Sequence, residues 1–172
     1  MNKKAFTILE IIIAIAVILI LATAALSGSG GIIRSMRFNN AFNKLVFMVQ
    51  RARSLAIAGK NADVEKYAVM IDLAKNTADL VKYNKNSATQ ESIESLTFTA
   101  ASNFNLKAAT DLDCNNIAII IFNNGISEPI LECGDKSANI LKITLEEKDA
   151  AGNIPRAKTF EINDSSGVPQ IE

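Results

Sequence analysis

Residues 1–26 read MNKKAFTILEIIIAIAVILILATAAL, and this stretch decides how the rest of the chain is organised. Glu10 is the only charged residue between Lys4 and Arg34. A carboxylate beside so much hydrocarbon is costly, by about 2.5–3.5 kcal/mol at the centre of a membrane-spanning helix and by less near an interface. The interaction that offsets this cost is therefore the best sequence clue to function.

The apolar segment from Ala5 to Ile33 is long enough to cross a bilayer, which needs about 20 helical residues. Three interpretations fit it. It is an ordinary membrane anchor, or it is a conventional secretory signal with a core at Ile11–Leu21 and an A-x-A cleavage site at Ala22-Thr23-Ala24. In the third interpretation, a short leader is cut off just before Phe6 and the apolar helix is retained.

The residues from Lys3 to Glu10 favour the third interpretation. The sequence Lys3-Lys4-Ala5-Phe6-Thr7-Ile8-Leu9-Glu10 resembles the start of the type IV pilins and of the pseudopilins of type II secretion. In these families a short basic leader ends in a small residue, and Phe-Thr-x-x-Glu and an apolar helix follow it. The residue before the cut is usually glycine in the family. Here it is Ala5, the nearest residue in size, so we expect cleavage to be retained.

The resemblance implies a role for each residue of this motif. Residues 1–5 would be the leader, removed by a prepilin peptidase between Ala5 and Phe6, and Phe6 would then be N-methylated. Glu10, the fifth residue of the processed chain, would pair with the terminal amine of a neighbouring subunit and set the register between helices. The alternative is a glutamate that reaches the lipid headgroups from one end of the span.

Composition argues against most catalytic and metal chemistry. The 172 residues contain no histidine, so the commonest general base and metal ligand is absent. Lysine plus arginine equals aspartate plus glutamate at 18 each, which gives no net attraction for nucleic acid. We therefore expect no enzyme, no cofactor and no metal. Asp111, Asp113 and Asn115 resemble the opening of a calcium loop, but Asn116 and Phe122 stand where an EF-hand needs glycine and glutamate.

The two cysteines, Cys114 and Cys133, flank a segment with a turn signal in its middle. An even cysteine count behind an export segment favours a disulfide formed in an oxidising compartment. Two buried free thiols are the alternative.

A second helical pattern follows the apolar segment, over residues 34–58. Its apolar residues recur at spacings of three and four and form one stripe: Phe38, Phe42, Leu45, Val49, Ala52 and Ala56. Gly59 is a natural stop. We expect this stripe to pack against a sheet rather than in a coiled coil. Between the two patterns, Ser27-Gly28-Ser29-Gly30-Gly31 predicts either the end of the anchor with a short linker or a hinge within one long helix.

After Gly59 the pattern changes to the period of two that is typical of strands. The predicted strands are Tyr67–Leu73, Leu80–Tyr83, Ile93–Thr99, Ile117–Phe122, Ile130–Cys133, Ile140–Glu146 and Thr159–Ile162. Asn123-Asn124-Gly125 is a hairpin signal. Pro129 limits the strand after it to an edge or an irregular position. The fold class is therefore α+β, with a long N-terminal helix packed on an antiparallel sheet.

The whole order of elements resembles the pilin fold, most of all the H-type minor pseudopilins and related minor type IV pilins. The resemblance implies a transmembrane helix over residues 6–33 and a globular domain over residues 34–172, in the periplasm or on the cell surface. It also implies anchoring in the inner membrane, assembly with other pilin subunits into a filament, and contact with secreted cargo. The competing hypothesis is a soluble secreted binding module released by signal peptidase after Ala24.

Overall fold

The computed structural model describes residues 8–59, 62–85, 90–98, 104–109, 114, 116–134, 136–149 and 151–171, and only the backbone of residues 24–30 and 109. These residues form one helix and ten strands. In chain order they are α1 (Ile8–Ala58), β1 (Val64–Asp72), β2 (Thr77–Asn84), β3 (Gln90–Thr97), β4 (Phe104–Ala109), β5 (Ile117–Asn123), β6 (Pro129–Cys133), β7 (Lys136–Ala138), β8 (Ile140–Glu147), β9 (Arg156–Asn163) and β10 (Gln170–Ile171).

The chain divides into two compact units, Met1–Asn39 and Asn40–Glu172. In the first unit, α1 runs through Ser27–Gly31 without interruption. Of the two alternatives predicted for this stretch, the end of the anchor with a short linker is therefore wrong, and the hinge within one long helix stays a prediction. Each glycine in a helix costs about 1 kcal/mol relative to alanine, but once a helix has formed, each further residue adds a backbone hydrogen bond. Three glycines do not end a helix of 51 residues.

The second unit contains two antiparallel sheets. The larger has six strands in the order β3-β2-β1-β5-β6-β7, and the smaller has four in the order β10-β9-β8-β4. The part of α1 that belongs to this unit packs on these sheets, so the predicted α+β class is confirmed. Two strands of the smaller sheet, β4 and β10, lie outside the predicted set.

The buried stripe of the helix is the one that the sequence predicts. Phe38, Phe42, Leu45, Val49, Ala52 and Ala56 are all at most 1% exposed. Phe42 meets Phe160 of β9 edge to face, with the ring centroids 6.0 Å apart. Burial of an aromatic or aliphatic side chain contributes about 1.5–3 kcal/mol, so the stripe residues from Phe42 onward are a main source of stability for the second unit.

The position of β6 corrects one expectation. β6 pairs with β5 on one side and with β7 on the other, so it is not an edge strand. Pro129 is compatible with this position because it is the first residue of β6 and pairs only with Phe122 of β5. The pairing of β6 with β7 begins two residues later, at Leu131, so the missing N–H of Pro129 removes no hydrogen bond from that pairing.

Candidate functional site

The first part of α1 exposes apolar side chains all round its circumference. From Ile8 to Leu21 the large aliphatic residues are between 49% and 80% exposed. A helix that is apolar on every face is stable only when lipid or protein covers it. This surface is therefore the strongest sign of an assembly or anchoring site in the described chain.

Glu10 lies in the first turn of α1, and its side chain is exposed. An acidic residue in the first turn interacts favourably with the positive end of the helix dipole, by about 0.3–1 kcal/mol. The predicted processing residues Ala5 and Phe6 lie outside the described residues, so their roles remain predictions.

The sequence predicts a membrane-spanning helix over residues 6–33. Within the ranges that the structure describes, no helix combines the length and the apolar character that crossing a membrane requires.

The C-terminal end of α1 is tied to the turn after β5. The backbone N–H of Gly59 donates to the carbonyl of Ala56 at 3.2 Å, and the N–H of Gly125 donates to the same carbonyl at 2.8 Å. Gly59 has a φ of +56°, the left-handed conformation that commonly ends helices. The Asn124 side chain donates to the carbonyl of Val64 at 3.1 Å, at the start of β1. The predicted hairpin signal thus joins β5 to β6 and also caps the helix.

The two cysteines form a disulfide, as the sequence predicts. Cys114 and Cys133 are bridged, with their Cα atoms 4.7 Å apart, within the usual range for disulfides. Cys133 is buried in β6, whereas Cys114 precedes β5. The bridge holds Cys114, just before β5, against β6, the strand that pairs with β5.

The six-stranded sheet has an outer face, opposite the face formed by Tyr67, Val69 and Ile71, and this face carries a second apolar cluster. We call this cluster the outer patch; its members are Ala68, Met70, Val81, Tyr83, Ile119 and Ile121. Ala68 pairs directly with Val81 and with Ile121 across the adjacent strands. Sequence reasoning missed this patch. The signal was present, because the apolar run Ile117–Phe122 presents large side chains to both faces of the sheet.

A cavity of about 390 Å³ adjoins the outer patch, at the end of the sheet where β1 turns into β2. Its charged lining residues are Asp72, Lys75 and Asp79. The Lys75 ammonium lies 2.9 Å from the Asp72 carboxylate, and the backbone N–H of Lys75 donates to the same carboxylate at 2.9 Å. These hydrogen bonds hold the pKa of Asp72 below its usual value and the pKa of Lys75 above its own.

Tyr83 connects the cavity to the patch. Its hydroxyl donates to the Gln90 side chain at 3.1 Å, and the Lys66 ammonium lies 4.8 Å from the centre of its ring. Burial, followed by the negative charge of Glu132, raises the pKa of Tyr83 above its ordinary value.

The remaining candidates for chemistry have structural roles or lie outside the described chain. Asp149 accepts hydrogen bonds from the Asn153 side chain and from the backbone of Asn153 and Ala151, which lowers its pKa. These hydrogen bonds close a turn. The calcium-loop residues Asp111, Asp113 and Asn115 lie outside the described residues. In the part of the chain that the structure describes, no group of three or more His, Cys, Asp or Glu residues could hold a metal.

Residues 1–26 match the family model of the prokaryotic N-terminal methylation motif. No curated protein and no solved structure matches the chain significantly. The motif indicates processing of the type that prepilins undergo, and it supports the resemblance to type IV pilin-like proteins. It also implies assembly with other pilin subunits and a protein that is membrane-anchored or filament-associated. The match does not extend into the second unit, Asn40–Glu172, which we also call the β-sheet unit.

Proposed function

We propose that this chain is a minor pilin or pseudopilin, a structural subunit rather than an enzyme, assembled through its N-terminal helix. The observation that carries the proposal is the combination of an apolar helix exposed on every described face with Glu10 at its head, inside a methylation motif. Packing this helix among the helices of other subunits would bury its apolar side chains and supply most of the assembly free energy.

Glu10 sets the register in this proposal. Its carboxylate pairs with the methylated amine of Phe6 in the adjacent subunit, because opposite charges in a low-dielectric environment attract strongly. Each charge alone is costly there, and removal of one partner of a buried pair costs about 3–5 kcal/mol. A subunit out of register would leave both charges without their partners.

Within this class, we propose a minor subunit similar to the H-type pseudopilins or to minor type IV pilins. The support is the order of elements, with a long helix followed by antiparallel strands. The subunit would wait in the inner membrane with its β-sheet unit in the periplasm, and would then enter a short filament or its tip. There the β-sheet unit would contact neighbouring subunits and secreted cargo.

Intact mass and N-terminal sequencing of the mature protein test the proposal. We expect a chain that begins at a methylated Phe6. A chain that begins at Ala25 would instead identify the soluble secreted module, and retention of residues 1–5 would identify a plain membrane anchor. Either of these results would overturn the proposal.

The variant Glu10→Gln tests the register role with almost no change in side-chain volume. We expect the β-sheet unit to keep its circular dichroism spectrum and its unfolding temperature. Incorporation into filaments should fall by about a hundredfold or more, the equivalent of 3–5 kcal/mol.

Glu65→Gln is the matched control, because it removes the same charge from an exposed position in β1. We expect this variant to be incorporated normally. If Glu10→Gln is incorporated as well as Glu65→Gln, the register role is wrong.

A further inference from the structure

The outer face of the six-stranded sheet is more apolar than an exposed face requires. Ala68, Val81 and Ile121 are at most 6% exposed, and Met70, Tyr83 and Ile119 are partly buried around them. Two further large residues extend the outer patch along β5 and β6: Ile117 is 38% exposed and Ile130 is 42% exposed. Antiparallel sheets that expose one face to water usually alternate apolar with polar residues. The exposed apolar surface of this face comes from Ile117, Ile130 and the partly buried residues around the core of the outer patch, and such surface is available for contact with another protein.

The lining of the cavity beside the outer patch is partly apolar and partly polar. Met70, Val81 and Ile117 supply the apolar part, which we call the floor, and residues of β2 and β3, among them Gln90, belong to the polar part, which we call the rim. Its volume of about 390 Å³ lies near the lower end of the range for ligand pockets. A cavity of this kind suits one long side chain that is apolar along its stem and polar at its tip.

The charges of the cavity favour a cation at that tip. Asp72 and Lys75 neutralise each other in an ion pair within the turn between β1 and β2. Asp79 lies on the same face, directly opposite Met70. Among the described residues, none forms a hydrogen bond or a close ion pair with the Asp79 carboxylate, and Lys75 attracts it only at longer range. One negative charge is therefore available above an apolar floor.

We propose that this cavity docks a partner protein by receiving an arginine or lysine side chain. The methylene stem lies on Met70, Val81 and Ile117, and the cationic head forms a charge-assisted hydrogen bond with Asp79. Apolar residues that flank the basic residue in the partner cover the outer patch. An anionic lipid surface is disfavoured at this face, because the available charge in the cavity is negative. The proposal goes beyond the filament role and does not depend on it.

Binding of a short peptide to the full chain in nanodiscs of zwitterionic lipid tests the proposal. The probe is the capped peptide acetyl-Ser-Leu-Arg-Leu-Ser-amide, and the matched control has glutamine in place of arginine. The readout is the ¹³C signals of the methionine methyl groups. Met70 lies in the floor of the cavity, whereas Met48 is fully buried in α1 and serves as the internal reference.

We expect the arginine peptide to shift the Met70 signal in a saturable way and to leave Met48 unchanged. The glutamine peptide should bind about tenfold more weakly, because it lacks the charge-assisted hydrogen bond. Asp79→Asn should weaken binding of the arginine peptide by a similar factor. Asp164→Asn removes the same charge from an exposed turn after β9 and should have no effect.

Four results would overturn the proposal: no shift of Met70 with the arginine peptide, equal binding of the two peptides, wild-type affinity in Asp79→Asn, or equal weakening by Asp164→Asn. None of these readouts depends on filament assembly. A failure of the docking proposal is therefore distinguishable from a failure of the proposed function.

Discussion

Gly167 occupies a position that no other residue can fill without displacing its neighbours. A Cβ atom there would lie 2.8 Å from Cδ of Pro129, 2.8 Å from the carbonyl oxygen of Ser127 and 3.2 Å from the ring of Phe122. Its φ of +60° is also in the left-handed region. The turn after β9 thus reaches the strands β5 and β6 of the other sheet through a contact that excludes any side chain.

We predict that Gly167→Ala destabilises the second unit by about 2–5 kcal/mol, since overpacking adds about 1–3 kcal/mol to the cost of left-handed alanine, which is about 1–2 kcal/mol. Thermal and denaturant unfolding measure this change. Gly152→Ala is the matched control, because Gly152 has a φ of +84° but no atom within 4 Å of the added Cβ. It should cost only about 1–2 kcal/mol. Equal effects of the two substitutions would show that the close contact at Gly167 does not matter.

Tyr83 reports on the outer patch through its ionisation. The pKa of Tyr83 is higher in the folded state than in the unfolded state, so ionisation of its hydroxyl opposes folding. The neutral hydroxyl therefore contributes fully to stability below the ordinary tyrosine pKa of about 10. That contribution is lost as the pH rises through the folded-state pKa. In the background Tyr67→Phe, where Tyr83 is the only tyrosine, we predict a phenolate absorbance transition above pH 10.

The Glu132 contribution to this pKa can be separated from burial. Glu132→Gln should move the transition of Tyr83 to lower pH, since it removes a negative charge that disfavours the phenolate. Glu128→Gln, at an exposed position just before β6, should leave it unchanged. A transition that does not respond to Glu132→Gln would mean that burial alone raises the pKa.

Individual helices and strands were predictable from the sequence where one face is buried. The α1 stripe and the alternation of Tyr67, Val69 and Ile71 in β1 follow the periods of helix and strand, and the structure buries these residues. β4 was missed because Phe104 and Leu106 are its only large apolar residues. The division into two sheets was not predictable either, because it depends on pairings between distant strands, such as β4 with β8.

The candidate sites also differ in how far they can be predicted from the sequence. Glu10 and the residues around it form a local motif, which the sequence shows directly. The outer patch and the cavity require knowledge of register, since Met70 meets Asp79 and Ile119 only when β2 and β5 lie on either side of β1. Short-range patterns do not specify that arrangement.

At the level of elements, the disulfide links the segment before β5 to β6 across 19 residues. On the chain-entropy model, we predict that reduction lowers the free energy of unfolding by about 3 kcal/mol. Denaturant unfolding of the same wild-type protein, oxidised and then reduced, measures the difference without any change of sequence. Equal stability of the two forms would show that the pairing of β5 with β6 needs no covalent constraint.

For the whole molecule, the burial pattern predicts where the chain can be shortened. The described side chains before residue 34 are exposed, and the buried stripe of α1 begins at Phe38. A chain that starts at Arg34 should therefore fold and unfold cooperatively, within about 1 kcal/mol of the full-length stability. Gel filtration, near-ultraviolet circular dichroism and thermal unfolding measure this.

A chain that starts at Gln50 is the matched control. It lacks Phe42, Leu45, Met48 and Val49, each fully buried, and should not fold because truncation of one large core residue already costs about 2–5 kcal/mol. If the chain from Arg34 also fails to fold, the segment before it contributes to the second unit in a way that burial does not show.

If the chain is held by its helix, as the proposed function requires, the shared carbonyl of Ala56 has a mechanical consequence. Besides the covalent connection from α1 into β1, the hydrogen bonds of Gly125 and Asn124 carry tension along α1 to β1 and β5. Both strands lie inside the six-stranded sheet with a neighbouring strand on each side. The load therefore enters strands that are hydrogen-bonded on both sides, and the outermost strand β3, which β2 separates from β1, lies off this path. In the proposed assembly, pulling on α1 would therefore load β1 and β5 before it loads β3.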